Sequence, residues 1–301
     1  MRFNGVGVKL MKTQRLVGGD VSGALEVARL ADRMGVDEVH MSDHVLMSTS
    51  GHAERETFPY PLDYDGWYEP FALLSAIAAV TTHVRLASHV VVAPLRPAVL
   101  LAKQIATLDA LSHGRVHIGL GTGWQREEFT AAGIPFDGRL TRLVEQVEAC
   151  RELWSGGPAS YHGRTVSFED VYSLPTPPQG KGLRVSLGIP AGPRGVEEIA
   201  RLGVGYCPSF HLGGDLTEQI ASARRAYAEA GRDPASLVVT SELPMEPERD
   251  ANGNVDWGAS FAVAEQLYEA GVDVLLSHVV PHCENLDEVE AFIARLLELR
   301  D

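Results

Sequence analysis

Between Val84 and Phe129 the hydrophobic period of the chain changes twice. Arg85 to Val92 is a β-branched run that closes in Ala93-Pro94, Pro97 to Leu111 carries apolar residues at helical spacing, and Val116 to Leu120 is a second short apolar run ended by glycines. Strand, helix and strand in so short a span predict a parallel pair joined by a right-handed crossover. The same alternation runs through the rest of the chain. Val6 to Leu10 reads as a first strand, and Gly23 to Met34 as a helix with Ala24, Val27, Leu30, Ala31 and Met34 on one face, ended by Gly35. Glu38 to Met41 follows as a strand and Pro70 to Thr81 as a helix; Leu140 to Trp154 is a further helix. Arg184 to Leu187, Gly205 to Ser209, Leu237 to Met245 and Val274 to Ser277 read as strands five to eight, with helices at Gly195 to Leu202, Leu216 to Ala230, Trp257 to Ala270 and Leu286 to Leu299. Eight strands alternating with eight helices predict an α/β chain folded as a (β/α)8 TIM barrel, one domain over residues 1–301.

Two segments exceed the minimal barrel. Met47 to Trp67 is a long insertion loop after strand two, and Trp154 to Lys181, which contains YHGRTVSFEDV, reads as a hairpin inserted before strand five. Long loops in a compact domain are usually functional or disordered. The first of them is expected to overhang the C-terminal mouth of the barrel, where this fold builds its active sites.

Composition narrows the partners. A chain of 301 residues, 45% hydrophobic and 22% charged, can bury a large core. Its net charge of -14, without a basic run, argues against nucleic acid and against an anionic membrane surface. No apolar stretch reaches the roughly 18 residues of a membrane span, and no signal peptide is visible, so a cytoplasmic location is expected. Cys150, Cys207 and Cys283 are odd in number and far apart, which fits reduced thiols and neither a disulfide framework nor a zinc knuckle.

The predicted strand ends carry the chemistry. Asp43-His44 follows strand two, Ser88-His89 falls in strand three, Gly121 to Trp124 follow strand four, Gly192 to Arg194 strand five and His211 strand six; Glu242 lies in strand seven, and His278 and His282 follow strand eight. Five of the eleven histidines therefore gather at one end of the barrel. Each feature has a plainer reading. Asp43 can cap a turn, and Pro281 between His278 and His282 argues against a helical metal pair, so no metal is expected. Gly119, Gly121 and Gly123 do not make a dinucleotide loop, because Trp124 stands where G-x-G-x-x-G needs its third glycine. What remains is a strand ending in small residues that lets backbone approach a flat ligand, with Trp124 as pocket wall or packing. The GIPAGPRG stretch of Gly188 to Gly195 precedes a helix and can hold a phosphate through its amides and Arg194, or serve only as a tight turn. Trp67, with Tyr68 and Phe71, offers an aromatic wall for a substrate or part of the core.

VHMSDHV at Val39 to Val45, RLASHVVVAPLRPAVLLAKQIATLDALSHGRVHIGLGTGWQREEF at Arg85 to Phe129, and GIPAGPRGVEEIARLGVGYCPS at Gly188 to Ser209 resemble the bacterial luciferase-like superfamily of flavin and deazaflavin oxidoreductases. The GTGW-x-x-EEF sequence, the following GIPF and the loop before Trp67 are similar to its coenzyme F420 branch. That resemblance implies a tricyclic ring held at the barrel mouth, behind which strand three is bulged by a non-prolyl cis peptide at Ser88-His89. It places His44 at the reactive face of the cofactor, Gly121, Thr122 and Gly123 along the ring, and Gly192, Pro193 and Arg194 near the phosphate. Deazaflavin sugar-phosphate dehydrogenases carry a catalytic Glu where this chain has Trp124, which argues against a sugar phosphate; the family's glycine pair after strand five appears here as Ala191-Gly192-Pro193.

The expected activity is hydride transfer between F420 and a small organic substrate. His44 is the first candidate to exchange the proton, with Asp43 as its orienting partner, and Trp67, Trp124, His211 and His278 are candidates to bind substrate. The alternatives are a monooxygenase using reduced FMN and, from a different class, a flavin-binding protein without turnover. The resemblance also implies a possible homodimer.

Overall fold

In the computed structural model, residues 2–48, 67–208 and 215–301 are described. Eight parallel strands form the barrel in the order of the chain. They are β1 (Gly5–Lys9), β2 (Glu38–Met41), β3 (Arg85–Ser88) with its outlier β4 (Val91–Val92), β5 (Val116–Gly121), β8 (Arg184–Gly188), β9 (Gly205–Tyr206), β10 (Thr240–Glu242) and β11 (Val274–His278). A parallel bridge between Tyr206 and Val239 joins the last seam and closes the ring. The helices that link and cover the strands are α1 (Ser22–Met34), α2 (Pro70–Ala78), α3 (Ala98–Leu111), α4 (Arg126–Ala131), α5 (Arg139–Leu153), α6 (Pro193–Leu202), α7 (Leu216–Glu229), α8 (Trp257–Glu269) and α9 (Leu286–Leu297). The α/β barrel expected from the periodicity is therefore the fold.

The helices form for the reasons their sequences supply. In α1, Ala24, Val27, Ala28 and Ala31 are buried at helical spacing against the sheet, and Gly35 ends the helix at φ 82°. Asp215, Asp256 and Asn285 cap α7, α8 and α9 through side-chain oxygens that accept backbone N–H groups of the first turn. Outward-facing strand residues Val6, Val8, Val39, Leu86, Ile118, Leu120, Leu187 and Leu275 are buried under this helical layer. The predicted hairpin is the antiparallel pair β6 (Ala159–His162) and β7 (Ser167–Val171); its tip is tied to α5 by Glu145, which accepts N–H groups of Arg164 and Thr165 at 2.9 and 2.6 Å. Among the described residues no helix is long and apolar enough to cross a membrane.

Three differences from expectation bear on the strand ends. The run Arg85 to Val92 is not one strand: its ladder breaks after Ser88, and the cis peptide lies at His89-Val90, one residue beyond the predicted Ser88-His89. Ser88 stays in register because its hydroxyl donates to the Gly119 carbonyl at 2.8 Å and accepts the Gly119 N–H at 3.0 Å. Strand seven contracts from Leu237–Met245 to three residues, its leading segment serving instead to close the seam at Val239. Helix α4, which contains Glu128, was not expected, because six residues are too few to establish a helical period.

The approach of β3 to β5 depends on a missing side chain. A Cβ on Gly119 would stand 2.2 Å from the Ser88 carbonyl oxygen, a backbone atom that cannot step aside. Gly119→Ala is expected to cost about 1–3 kcal/mol through overpacking, measured as a shift of the denaturant midpoint; an unchanged midpoint would show that the two strands can separate freely.

Candidate active site

The C-terminal ends of the parallel strands all open on one face, and the side chains placed there come from several loops. His44, just after β2, is buried, and its Nδ1 lies 3.1 Å from both carboxylate oxygens of Glu128. Glu128 is fully buried and also accepts the Val45 N–H at 2.9 Å. Gln125, one turn earlier, accepts the Ser48 N–H and donates to the Leu46 carbonyl, both at 2.7 Å. The segment between Trp124 and Phe129 therefore clamps residues 44–48. Two indoles stand edge-on to the His44 ring, Trp67 at 4.7 Å and Trp124 at 5.6 Å between centroids.

Asp43 does something else. Its carboxylate takes Arg96 Nη1 at 2.5 Å, Arg96 Nη2 at 3.1 Å and the Val92 N–H at 2.9 Å. Burial opposes the charge on Arg96, but Asp43 and Glu69 together raise the guanidinium above its ordinary value. The carboxylate beside the His44 ring is that of Glu128, whereas Asp43 anchors the short strand β4. The signal for Glu128 was present in the EEF of the GTGW-x-x-EEF run, but nothing in the linear order ties it to a histidine 84 positions away.

The Ser88 hydroxyl donates to the Gly119 carbonyl and accepts its N–H. The residues that open on the mouth are His89 and Val90, both half-buried. The Val90 side chain lies over the glycines of β5 and β8: a Cβ on Gly121 would fall 2.4 Å, and one on Gly188 2.9 Å, from its methyls. Thr122, Gly123 and Trp124 continue from β5 and are half-buried, with Gly123 at φ 72°. Gly192 starts α6, Pro193 occupies its first turn, and the exposed Arg194 donates to Thr141 Oγ1 at 2.7 Å. His211 lies outside the described residues, as does most of the loop from Met47 to Trp67.

Beneath the mouth, the lumen is charged where barrels of this kind are usually filled by branched apolar residues. Lys9 of β1 pairs with Glu242 of β10, and His278 Nε2 and His89 Nδ1 lie 3.4 and 3.8 Å from the same carboxylate. Deeper, Glu38 takes His40 at 2.9 Å, His117 at 3.1 Å and Arg85 at 2.9 Å. Burial pushes the Glu38 carboxyl up, but His117 and His40 more than offset it and hold it well below the ordinary carboxylate range. Burial, reinforced by Lys9, lowers His89 to about 3. Of these residues only His89, His278 and Glu242 were singled out from the sequence. The others carry one shared signal, a charged or imidazole side chain in an otherwise apolar strand.

The His282 ring packs against Phe261 and Phe292, at 6.4 and 5.5 Å, and no cluster of three possible metal ligands occurs among the described residues.

Two measurements follow from this geometry. Asp43→Asn leaves Arg96 only its bond to the more exposed Glu69, and Arg96→Leu leaves the buried Asp43 carboxylate without its cation; the second is expected to cost about 3–5 kcal/mol and the first less, with the double variant losing less than the sum, which equilibrium denaturation of the four proteins checks, and a loss under 1 kcal/mol in Arg96→Leu would show that the pair does not anchor the loop. Burial and the nearby His278 lower His282 to about 4 from an ordinary 6.5. As pH falls below 6.5 the unfolded chain takes up this proton and the folded chain does not, so stability drops progressively until about pH 4. The loss is about 3 kcal/mol. His282→Leu should flatten that part of the stability curve, read by urea melts at pH 7, 5.5 and 4.5.

Residues 3–252 match the profile of the family described as luciferase-like monooxygenase. An uncharacterized protein of Mycobacterium tuberculosis, Rv0953c, is 33% identical over 245 residues, 80% of this chain and 84% of the relative. An F420-dependent glucose-6-phosphate dehydrogenase of Amycolatopsis mediterranei is 29% identical over 257 residues, 81% of this chain and 72% of that protein. Among solved structures, monooxygenase RslO1 from Streptomyces bottropensis shares the fold at a TM-score of 0.79 and 22% identity, covering 99% of this chain and 97% of its own. A barrel closed in this strand order, with a family match over so much of its length, places the chain in the luciferase-like family.

Proposed function

We propose that the protein is a deazaflavin-dependent oxidoreductase that transfers a hydride between F420 and a small organic molecule at the barrel mouth. The observation that carries this reading is His44, buried between two indoles with its Nδ1 held by a fully buried carboxylate. A histidine held in this way is built to exchange a proton at its other nitrogen. The relative described as F420-dependent supports the choice of cofactor.

The mouth fits a flat tricyclic group. Val90 presents a half-buried side chain over a floor of Gly121 and Gly188, where added β-carbons would collide, and the buried Nε2 of His89 has no protein partner. Val90 would back the ring, Gly121, Thr122 and Gly123 would border it, and the loop of Gly192, Pro193 and Arg194 would receive the phosphate at the start of α6. When bound, a reduced deazaflavin supplies a hydride and reacts poorly with dioxygen.

The chain's own part is proton handling and exclusion of water. Glu128 fixes the orientation of the His44 ring by holding its Nδ1, so Nε2 is the nitrogen this reading assigns to give or take a proton as a carbonyl becomes an alcohol or the reverse. Trp67 and Trp124 wall the space beside it, which suits an uncharged, partly apolar substrate better than a sugar phosphate. A reduced-FMN monooxygenase is the second reading, favoured by the family description itself.

Parallel titration of the purified protein with F420 and FMN, followed by stopped-flow mixing of each reduced complex with oxygen, separates the two. Tighter F420 binding and slow oxygen reaction are expected. Preferential FMN binding with a transient peroxide-like absorbance would replace this reading by the monooxygenase. His44→Gln should keep F420 affinity while lowering kcat by about 10²–10⁴-fold.

A further inference from the structure

We propose that Arg126, Arg139, Arg142 and Arg194 form a cationic track on the rim of the barrel mouth, which holds a chain of carboxylates: the oligoglutamate tail that F420 carries beyond its phosphate. The inference rests on the F420 reading. It adds to that reading the part of the protein that tells the deazaflavin from FMN, whose side chain ends at the phosphate.

The four side chains belong to one continuous surface. Arg139, the first residue of α5, donates from Nε to the Gly123 carbonyl at 3.2 Å, so its guanidinium stands beside the residues assigned to border the ring. Arg126, the first residue of α4, lies over the same phenyl ring as Arg139: their Cζ atoms are 4.2 and 3.9 Å from the Phe136 centroid. Phe136 is itself set edge-on against the buried Phe129, 5.2 Å between centroids. Farther along α5, Arg142 donates to the Pro135 carbonyl at 2.9 Å. Arg194, at the start of α6, donates to Thr141 Oγ1 between Arg139 and Arg142. The track therefore runs from the border of the ring to the loop assigned to the phosphate.

Charge sets this rim apart. The chain carries a net charge of -14, and elsewhere on its surface Arg29, Arg201, Arg225 and Arg295 each have a carboxylate within 3.3 Å. Among the described residues the one ion pair made by the four rim arginines is that of Arg126 with Asp137, at 4.0 Å, and Asp137 is 93% exposed. Of the other acidic residues in the segment, Glu128 is committed to His44 and Glu127 has a partner of its own. Burial and the adjacent Arg126 charge lower the Arg139 guanidinium below its ordinary value, so the two cations stand together at a cost that an anion between them would remove. Phe136 holds both side chains in place through the cation–π contact, which reduces the ordering that binding must still impose. A guanidinium takes a carboxylate on two parallel N–H donors, and a γ-linked glutamate chain presents one carboxylate per residue to successive arginines. A single terminal phosphate can occupy only one end of such a track.

The test compares F420 carrying several glutamates with F420 carrying none, by equilibrium fluorescence titration. The tail is expected to tighten binding to the wild type by about tenfold at low salt and by less as salt rises. The double variant Arg126→Gln/Arg139→Gln is expected to bind the two forms with equal affinity. Equal affinities in the wild type, or a tail advantage kept in the double variant, would overturn the track and leave the hydride-transfer reading standing. Should the double variant fail to fold, the exposed Arg126→Gln alone decides, with part of the advantage lost. A second arm needs no cofactor: tri-γ-glutamate added to the free protein is expected to shift the side-chain ¹⁵Nε signals of Arg126 and Arg139 and to leave those of Arg201 and Arg225 in place. Unmoved rim signals, or shifts as large at Arg201 and Arg225, would overturn the track. Failure of the wild type to bind either form of F420 would overturn the hydride-transfer reading and leave this arm to decide the track.

Discussion

Charge buried inside a closed barrel is the constraint around which this structure is arranged. An isolated carboxylate or ammonium in the lumen would cost several kcal/mol, so each must bring its own compensation. Lys9 and Glu242 meet across the seam between β10, β11 and β1, and Glu38 gathers Arg85, His40 and His117 from β3, β2 and β5. These contacts join strands that are not all neighbours in the sheet, so the order and tilt of the strands and the neutralisation of the lumen are one problem. Apolar packing holds the helices on the outside. Paired charge occupies the space that branched side chains usually fill.

The mouth inherits its precision from this arrangement. Glycines in β5 and β8 make room for the chain to leave β3, cross the lumen wall at His89 and Val90, and rejoin the sheet at β4. Asp43 and Arg96 then fasten the rejoined strand, which frees the adjacent His44 to be held by a different carboxylate. Two neighbouring residues of one loop are therefore held separately, Asp43 by Arg96 and the Val92 backbone, His44 by Glu128. The short helix α4 makes that division possible by bringing Glu128 and Gln125 against the loop after β2.

The luciferase-like fold admits both hydride transfer and oxygenation, and the difference lies in what surrounds the reacting atoms. Here the immediate surroundings of His44 are two indoles and a buried carboxylate. Such walls favour a reaction in which a proton is handed over at a defined nitrogen and water is kept away.

The alternation of strand and helix was legible in the sequence because periodicity is local: apolar positions repeat every second residue or at helical spacing whatever the distant chain does. The eight strands, the hairpin before β8 and the clustering of chemistry at the strand ends all follow from it, and the family resemblance follows from runs such as GLGTGWQREEF. Side-chain partnership is not local. That Asp43 belongs to Arg96 and His44 to Glu128, that Ser88 serves Gly119, and that Lys9, Glu38 and His117 meet inside the barrel are consequences of closure. Closure brings together residues 31 to 233 positions apart and sets which of several equally plausible carboxylates each base will find. The sequence by itself determined the barrel and the end of it at which histidines and other polar side chains gather; only the tertiary structure decided the pairings, because a buried charge chooses its partner by distance in space.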